Sequence, residues 1–199
     1  IVLAILAVVA IAVPLSWHHF AREEPPLAGE PPGTAVAIVA FNNLSQNAKD
    51  AWLGPALGEM LATEITASGR LHAMPDELVR PARAGLPAPL AGGYAARSLA
   101  TLRERLGTDY VLSRSYLVSG AGEDAKLHLD LALQDARTGV AVATLVRNST
   151  VVDLPALVTG AGTELREHLG VAPANRDELQ RIASAQPPSA EVARRIGFA

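Results

Sequence analysis

Two consecutive asparagines, Asn42 and Asn43, stand directly after the apolar stretch "AVAIVAF" of residues 35–41. At the carboxyl end of a strand in an open α/β sheet, such amides could hydrogen-bond a ligand. Alternatively, they satisfy backbone groups where the strand ends, with Ser45 or Asn47 shaping the turn into the next helix. The two hypotheses differ in whether this point of the chain is a binding site or part of the scaffold.

No other pattern of reactive side chains predicts an active site. The histidines lack metal-binding spacing, and there are no cysteines. The glycine-containing runs "SGAGEDAK" and "TGAGTELR" lack the Gly-Lys-Ser/Thr ending of a phosphate loop, and the kinase signatures His-Arg-Asp and Asp-Phe-Gly do not occur. We therefore predict that this fragment is not an enzyme and has no catalytic, cofactor-binding or metal-binding residues, and needs no cofactor.

The distribution of charge excludes one class of partner. The formal net charge is −3 and no basic stripe is present, so the sequence does not predict nucleic-acid binding. Charged residues of both signs near the end of the last long helix, among them Glu164, Arg166 and Glu167, are typical of a solvated helix face.

Residues 1–17 carry no charge and are followed by residue types common at a bilayer surface, beginning with Trp17. This pattern predicts a transmembrane helix over residues 1–19, shortened at its N-terminus, in preference to a cleaved signal peptide. Residues 20–34 are rich in proline and predict a stiff linker.

The charges that follow the apolar segment indicate its orientation. The segment that follows has one basic residue, Arg22, and three acidic ones, Glu23, Glu24 and Glu30. It therefore lacks the excess of positive charge that is typical of a cytoplasmic flank. We expect a single pass through the inner membrane, with the residues after about 20 outside the cytoplasm.

Residues 35–170 alternate between strand and helix patterns. A strand buried on both faces at 36–41 precedes a helix, a weak strand, a second helix, three strands and a third helix. Residues 126–134 alternate leucine with polar residues, which predicts one face on the core and one towards water or a polar partner. The expected fold class is α/β, a mixed β-sheet with three packed helices. Residues 171–188 predict a second linker, and 189–199 the start of a helical region.

Three motifs carry a resemblance to a known family. "AIVAFNNLS", "LGTDYVLSRSYL" and "LALQDARTGVAVA" occur in this order and resemble the TolB N-terminal-like module, also found in FlgO-like proteins. The matching fold-motif residues that we single out are Phe41, Asn43, Leu44, Ser45, Asp109, Tyr110, Asp135 and Gly139. Two positions depart from the family pattern, Ala40 in place of proline and the basic Arg114 after the Tyr-Val-Leu run. The resemblance makes the asparagine pair a fold motif, so we favour its structural role.

The resemblance also implies a setting for the module. In many bacterial proteins it follows a transmembrane helix and precedes tetratricopeptide repeats, with a Ser/Thr kinase, DNA-binding or cyclase domain in the cytoplasm. By this resemblance, residues 189–199 would be the start of the repeats. The leading hypothesis is a non-catalytic, membrane-tethered, extracytoplasmic sensing or protein-interaction module of a bacterial signalling protein. The alternatives are the outer regulatory region of a transmembrane Ser/Thr kinase and an envelope or flagellar accessory domain. Protein partners are expected, and the oligomeric state is left open.

Overall fold

The computed structural model describes residues 33–39, 41–45, 47–89, 92–122 and 124–196. The transmembrane helix predicted at residues 1–19, and nearly all of the linker that follows it, lie outside the described residues. Among the helices that are described, none combines the length and the apolar composition that crossing a bilayer requires.

Thirteen helical and extended elements follow one another along the described chain. The strands are β1 (Thr34–Ile38), β2 (Asn42–Asn43), β3 (Leu71–Ala73), β4 (Tyr110–Ser119), β5 (Lys126–Asp135) and β6 (Ala141–Thr150). The α-helices are α1 (Leu53–Thr66), α2 (Asp76–Ala82), α3 (Ala96–Leu106), α4 (Leu154–His168), α5 (Arg176–Ala185) and α6 (Ala190–Ile196), and a 3₁₀ turn spans Ala48–Asp50.

The strands form one mixed sheet in the order β3-β1-β4-β5-β6, with the short β2 also paired to β4. β1 is parallel to both β3 and β4, because α1 carries the chain back between β1 and β3. β4, β5 and β6 follow one another in the chain and run antiparallel. The predicted fold class, a mixed sheet with helices, is confirmed.

The larger hydrophobic core lies between one face of the sheet and the pair α1 and α4. Leu127, Leu129, Leu131 and Leu133 of β5 all point into this core, as their alternation predicts. The side of β5 that carries His128 and Asp130 faces away from it.

A smaller core covers part of the opposite face. Ala37 and Val39 pack there with Leu99 and Leu102 of α3 and Val79 of α2. Val36 and Ile38 belong to the larger core, so the "VAIV" run is buried on both faces. This explains why it contains no alternation of apolar and polar residues.

A buried polar cluster joins α1 to α4. Glu64 is fully buried, and its carboxylate lies 2.9 Å from the guanidinium of Arg166, which is also buried. Thr159 and Gln186 donate further hydrogen bonds to Glu64 at 2.7 and 2.8 Å. The expectation that Arg166 lies on a solvated face is wrong, because its side chain crosses to the neighbouring helix, whereas Glu164 beside it is partly exposed and pairs with Arg147.

The chain beyond α4 packs against the domain. The stretch 171–188, predicted as a linker, contains α5, which begins with a capping box formed by Asn175 and Glu178. Val171, Ile182 and Ala193 are buried, and the Arg181 guanidinium donates to the Ala67 carbonyl at the end of α1. Only Ile182 of α5 is buried, and a single core contact is a weak sequence signal, which explains why the composition suggested a linker.

Candidate functional site

The asparagine pair lies where the chain leaves the sheet. Asn43 Oδ1 accepts a hydrogen bond from the Ser45 backbone N–H at 2.9 Å, and its Nδ2 donates to the Asn47 carbonyl at 3.3 Å. Asn47 in turn caps the 3₁₀ turn through Lys49 N–H, while Asn42 is exposed. The Asn43 amide is thus occupied by backbone groups of its own turn.

The neighbouring residues anchor this turn to β4. Ser45 Oγ accepts from the Val118 backbone N–H at 2.6 Å, and the Leu44 N–H donates to the Tyr116 carbonyl at 2.8 Å. The Leu44 side chain points outward and is 46% exposed. These contacts place Phe41, just before the turn, beside the Tyr116 ring.

Asp109 and Tyr110 connect β1 to β4. Asp109 Oδ2 accepts from the Ala35 N–H at 2.9 Å, while the Thr108 hydroxyl donates to the Ala35 carbonyl at 3.0 Å. Tyr110 pairs with Val36 in the sheet and packs against the larger core. The Asp109 and Thr108 side chains therefore bind backbone groups of β1, and they lie away from the Asn43 turn.

Asp135 and Gly139 form the turn between β5 and β6. Asp135 Oδ1 accepts hydrogen bonds from the N–H groups of Arg137 and Thr138 at 2.9 and 2.8 Å. The Thr138 N–H is the main cause that lowers the pKa of Asp135 below its usual value. Gly139 has a φ of +76°, a conformation that side chains with a Cβ disfavour.

A cleft of about 610 Å³ opens beside Phe41, at the carboxyl ends of the parallel strands β1 and β3. The first turns of α1 line one side and α2 lines the other. Open α/β sheets commonly bind ligands at this end of parallel strands. The Tyr116 ring meets Phe41 edge-on at 6.1 Å, and its hydroxyl donates to the Asp50 carbonyl at 2.9 Å. Burial raises the pKa of Tyr116 to about 12, so it stays neutral.

Arg114 is the unusual side chain of this cleft. It rises from β4, is only 5% exposed, and its guanidinium carbon lies 3.8 Å from the centre of the Phe41 ring. Nε donates to the Val39 carbonyl at 2.8 Å, whereas Nη1 has no hydrogen-bond partner among the described residues. Burial lowers the pKa of Arg114 well below its ordinary value, and the carboxylates of Asp76 and Glu59 only partly oppose this effect.

A second candidate surface is the part of the sheet that α2 and α3 leave uncovered. Residues that are paired across β4, β5 and β6 point their side chains to the same face of the sheet, and alternate pairs point to the face opposite the larger core. We call this surface the open sheet face; it consists of Leu44, Ser115, Leu117, His128, Asp130, Thr144, Val146 and Asn148.

The centre of the open sheet face is a small polar network. His128 Nδ1 lies 2.6 Å from Asn148 Oδ1, and His128 Nε2 lies 3.3 Å from Asp130 Oδ1. Among the residues that the structure describes, no cluster of His, Cys, Asp or Glu has the arrangement needed to hold a metal ion. The network can hydrogen-bond a partner.

Arg114 is not predicted from the sequence as a site residue, although its basic side chain departs from the family pattern. The eight fold-motif residues are spread over three turns, and among them Phe41 and Asn43 line the cleft. The polar alternation of β5 indicated His128 and Asp130 on the open sheet face. Gln134, on the same side of β5, is instead buried and exchanges hydrogen bonds with the backbone of Tyr94 at 2.7 and 3.0 Å.

No family model matches the chain, and no curated protein matches it. Among solved structures, TolB from Acinetobacter baumannii is similar with a TM-score of 0.47 and 17% identity over 72% of this chain. The match spans 30% of that TolB chain. Lipoprotein GNA1162 from Neisseria meningitidis has a TM-score of 0.44 and 17% identity over 59% of this chain and 80% of its own. The LpoB C-terminal domain from Salmonella enterica has a TM-score of 0.41 and 18% identity over 61% of this chain and 86% of its own. With TM-scores below 0.5, these similarities do not establish a family, and membership in the TolB N-terminal-like module stays a prediction.

Proposed function

We propose that this chain is a non-catalytic module that residues 1–19 tether to the inner membrane and that binds a protein partner outside the cytoplasm. The observation that supports this proposal is the open sheet face, which combines exposed aliphatic side chains with a polar network on a rigid sheet. The membrane anchor and its orientation are inferred from the sequence alone.

The open sheet face includes three large aliphatic side chains that remain partly exposed to solvent. Leu44, Leu117 and Val146 are 46%, 40% and 49% exposed and lie around the polar network. Because roughly half of each side chain is already covered in the free chain, complete burial against a partner contributes about half of the ~1.5–3 kcal/mol of a fully exposed one. They therefore supply the apolar contacts that protein interfaces use at their centre.

The polar part of the surface is already ordered. His128 is held between Asn148 and Asp130, so a partner that hydrogen-bonds to this group does not first have to immobilise it. Because β4, β5 and β6 form a continuous antiparallel ladder, the whole surface is presented on a rigid element. These properties favour recognition of a folded protein surface.

Site-specific photo-crosslinking tests the proposal. A photoreactive amino acid in place of Leu117 or Val146, in the full protein and in its native cells, is expected to give one discrete adduct. The same amino acid in place of Leu179 on α5, which is 49% exposed, is the matched control and is expected to give none. The purified partner, identified from the adduct, should bind Val146→Glu at least tenfold more weakly than the unaltered chain, and Leu179→Glu equally well.

Equal adducts at all three positions, or unchanged binding by Val146→Glu, would contradict the use of this face. The signalling role is tested separately, by the sequence encoded upstream of Ile1. A glycine-rich loop, a strand lysine and His-Arg-Asp there would make the module the outer regulatory region of a Ser/Thr kinase. A short basic leader would favour the envelope or flagellar accessory domain.

A further inference from the structure

The cleft between α1 and α2 contains a buried cation with unused hydrogen-bonding capacity. Arg114 has five N–H donors, of which one, on Nε, donates to the Val39 carbonyl. Nη1 has no partner among the described residues, and none of the ion pairs formed within the described chain includes Arg114. A buried guanidinium without a counter-ion lowers the stability of the fold, because its desolvation is not compensated. An anion in contact with it would offset this desolvation free energy.

Contacts within the protein hold the guanidinium in place. The Phe41 ring lies under it and the Val39 carbonyl fixes Nε, so its orientation does not depend on a ligand. Opposite it, Gly58 of α1 has no side chain, and a Cβ there would stand 3.7 Å from Nη2. A side chain at position 58 would therefore pack directly against the guanidinium.

The other charges around the cleft limit the kind of anion that fits. Arg80 is paired with Asp76 at 2.5 Å, which leaves Glu59, Glu77 and Arg83 at the rim. Two carboxylates and one guanidinium give the rim a net charge of −1, which balances Arg114, so the lining carries no excess positive charge that would favour a dianion. The Ile38 and Met74 side chains line the inner wall and offer apolar contacts.

We propose that this cleft binds a small organic monocarboxylate, whose carboxylate accepts hydrogen bonds from Arg114 while its apolar part contacts Ile38 and Met74. A planar carboxylate matches the paired N–H donors of a guanidinium. The volume of about 610 Å³ lies within the range of small-molecule sites. The module then senses a small acid at a place separate from the open sheet face.

The test uses phenylacetate as the probe and the Arg114 Nε–H signal of the ¹⁵N-labelled full chain as the readout. We expect a saturable shift with a Kd on the order of 1 mM. Phenylacetamide, which has nearly the same shape and no charge, is expected to bind at least tenfold more weakly. Inorganic phosphate is expected to compete poorly, because it has no apolar part to contact Ile38 and Met74.

Two variants complete the test through the signals of the cleft backbone amides. Arg114→Met removes the guanidinium and is expected to weaken phenylacetate binding at least tenfold, whereas Arg137→Met, in the exposed β5–β6 turn, should leave it unchanged. Equal binding of the amide, a linear response to phenylacetate, or displacement by an equal concentration of phosphate would overturn the proposal. The comparison of acid and amide needs only the unaltered chain, so it decides the question even where Arg114→Met does not fold.

Discussion

Asp135 illustrates how the motif residues act at the scale of single side chains. Its carboxylate accepts two backbone hydrogen bonds and thereby closes the turn between β5 and β6. Asn43 does the same for the exit from the sheet, and Asp109 for the junction of β1 with β4. In each case the side chain replaces a backbone partner that the local conformation does not provide.

The lowered pKa of Asp135 predicts a pH-dependent contribution to stability. A carboxylate whose folded pKa is depressed stabilises the fold above its unfolded pKa, and this stabilisation is lost as pH falls through the folded value. Asp135→Asn keeps an acceptor oxygen but does not titrate. We expect it to be less stable than the unaltered chain by less than about 1 kcal/mol at neutral pH, because solvent screens this exposed group.

Urea unfolding of both proteins between about pH 7 and about pH 3 measures this difference. The difference should be constant at neutral pH and should shrink once the pH falls below about 4. A difference that stays constant over the whole range would show that the charge of Asp135 does not contribute.

At the scale of elements, the close contact of α1 with α4 depends on one glycine. A Cβ at Gly162 would overlap the Cβ of Glu64, which is close to the α1 backbone and has no freedom to move aside. Gly160, two residues earlier in the same helix, has nothing within 4 Å of the corresponding position. The two glycines therefore lie in the same helix but differ in their packing against neighbouring residues.

Alanine substitution at these two positions gives opposite expected results. Gly162→Ala should lower the free energy of unfolding by about 1–3 kcal/mol, because the helices must separate to admit the methyl group. Gly160→Ala should raise it by roughly 0.5–1 kcal/mol, because alanine favours the helix and meets no neighbour. Chemical denaturation measures both, and equal effects would contradict the packing described here.

At the scale of the whole molecule, α5 and α6 determine where the folded domain ends. Val171, Ile182 and Ala193 are buried, and Gln186 donates a hydrogen bond to the buried Glu64. The sequence instead places the boundary at Gly170, followed by a linker. If α5 and α6 belong to the folded domain, a chain without them should be less stable; if they are a linker, its stability should not change.

A chain that ends at Gly170 tests which description holds. We expect it to lose more than about 2 kcal/mol of stability, because Val171, Ile182 and Ala193 no longer cover the core and Glu64 loses a donor. Urea unfolding of the shortened and the full chain measures the loss. A difference below about 0.5 kcal/mol would identify residues 171–199 as a linker and tail.

The sequence by itself determined the elements whose patterns are local. The buried run of β1, the alternation of β5 and the apolar faces of the three long helices follow from the periods of strand and helix, because burial of a regular element repeats with its geometry. The turn residues were likewise recognisable, since Asn43 and Asp135 act on backbone two or three residues away.

Only the tertiary structure decided which charged side chains are buried. Arg166 pairs with Glu64 across 102 positions of sequence, and Arg114 bonds to Val39 across 75. Gln186, in the predicted linker, reaches Glu64 across 122 positions. No local pattern records these pairings, because they depend on where the sheet and helices place distant parts of the chain. For the same reason the cleft at Arg114 emerged from the structure and not from the sequence motifs.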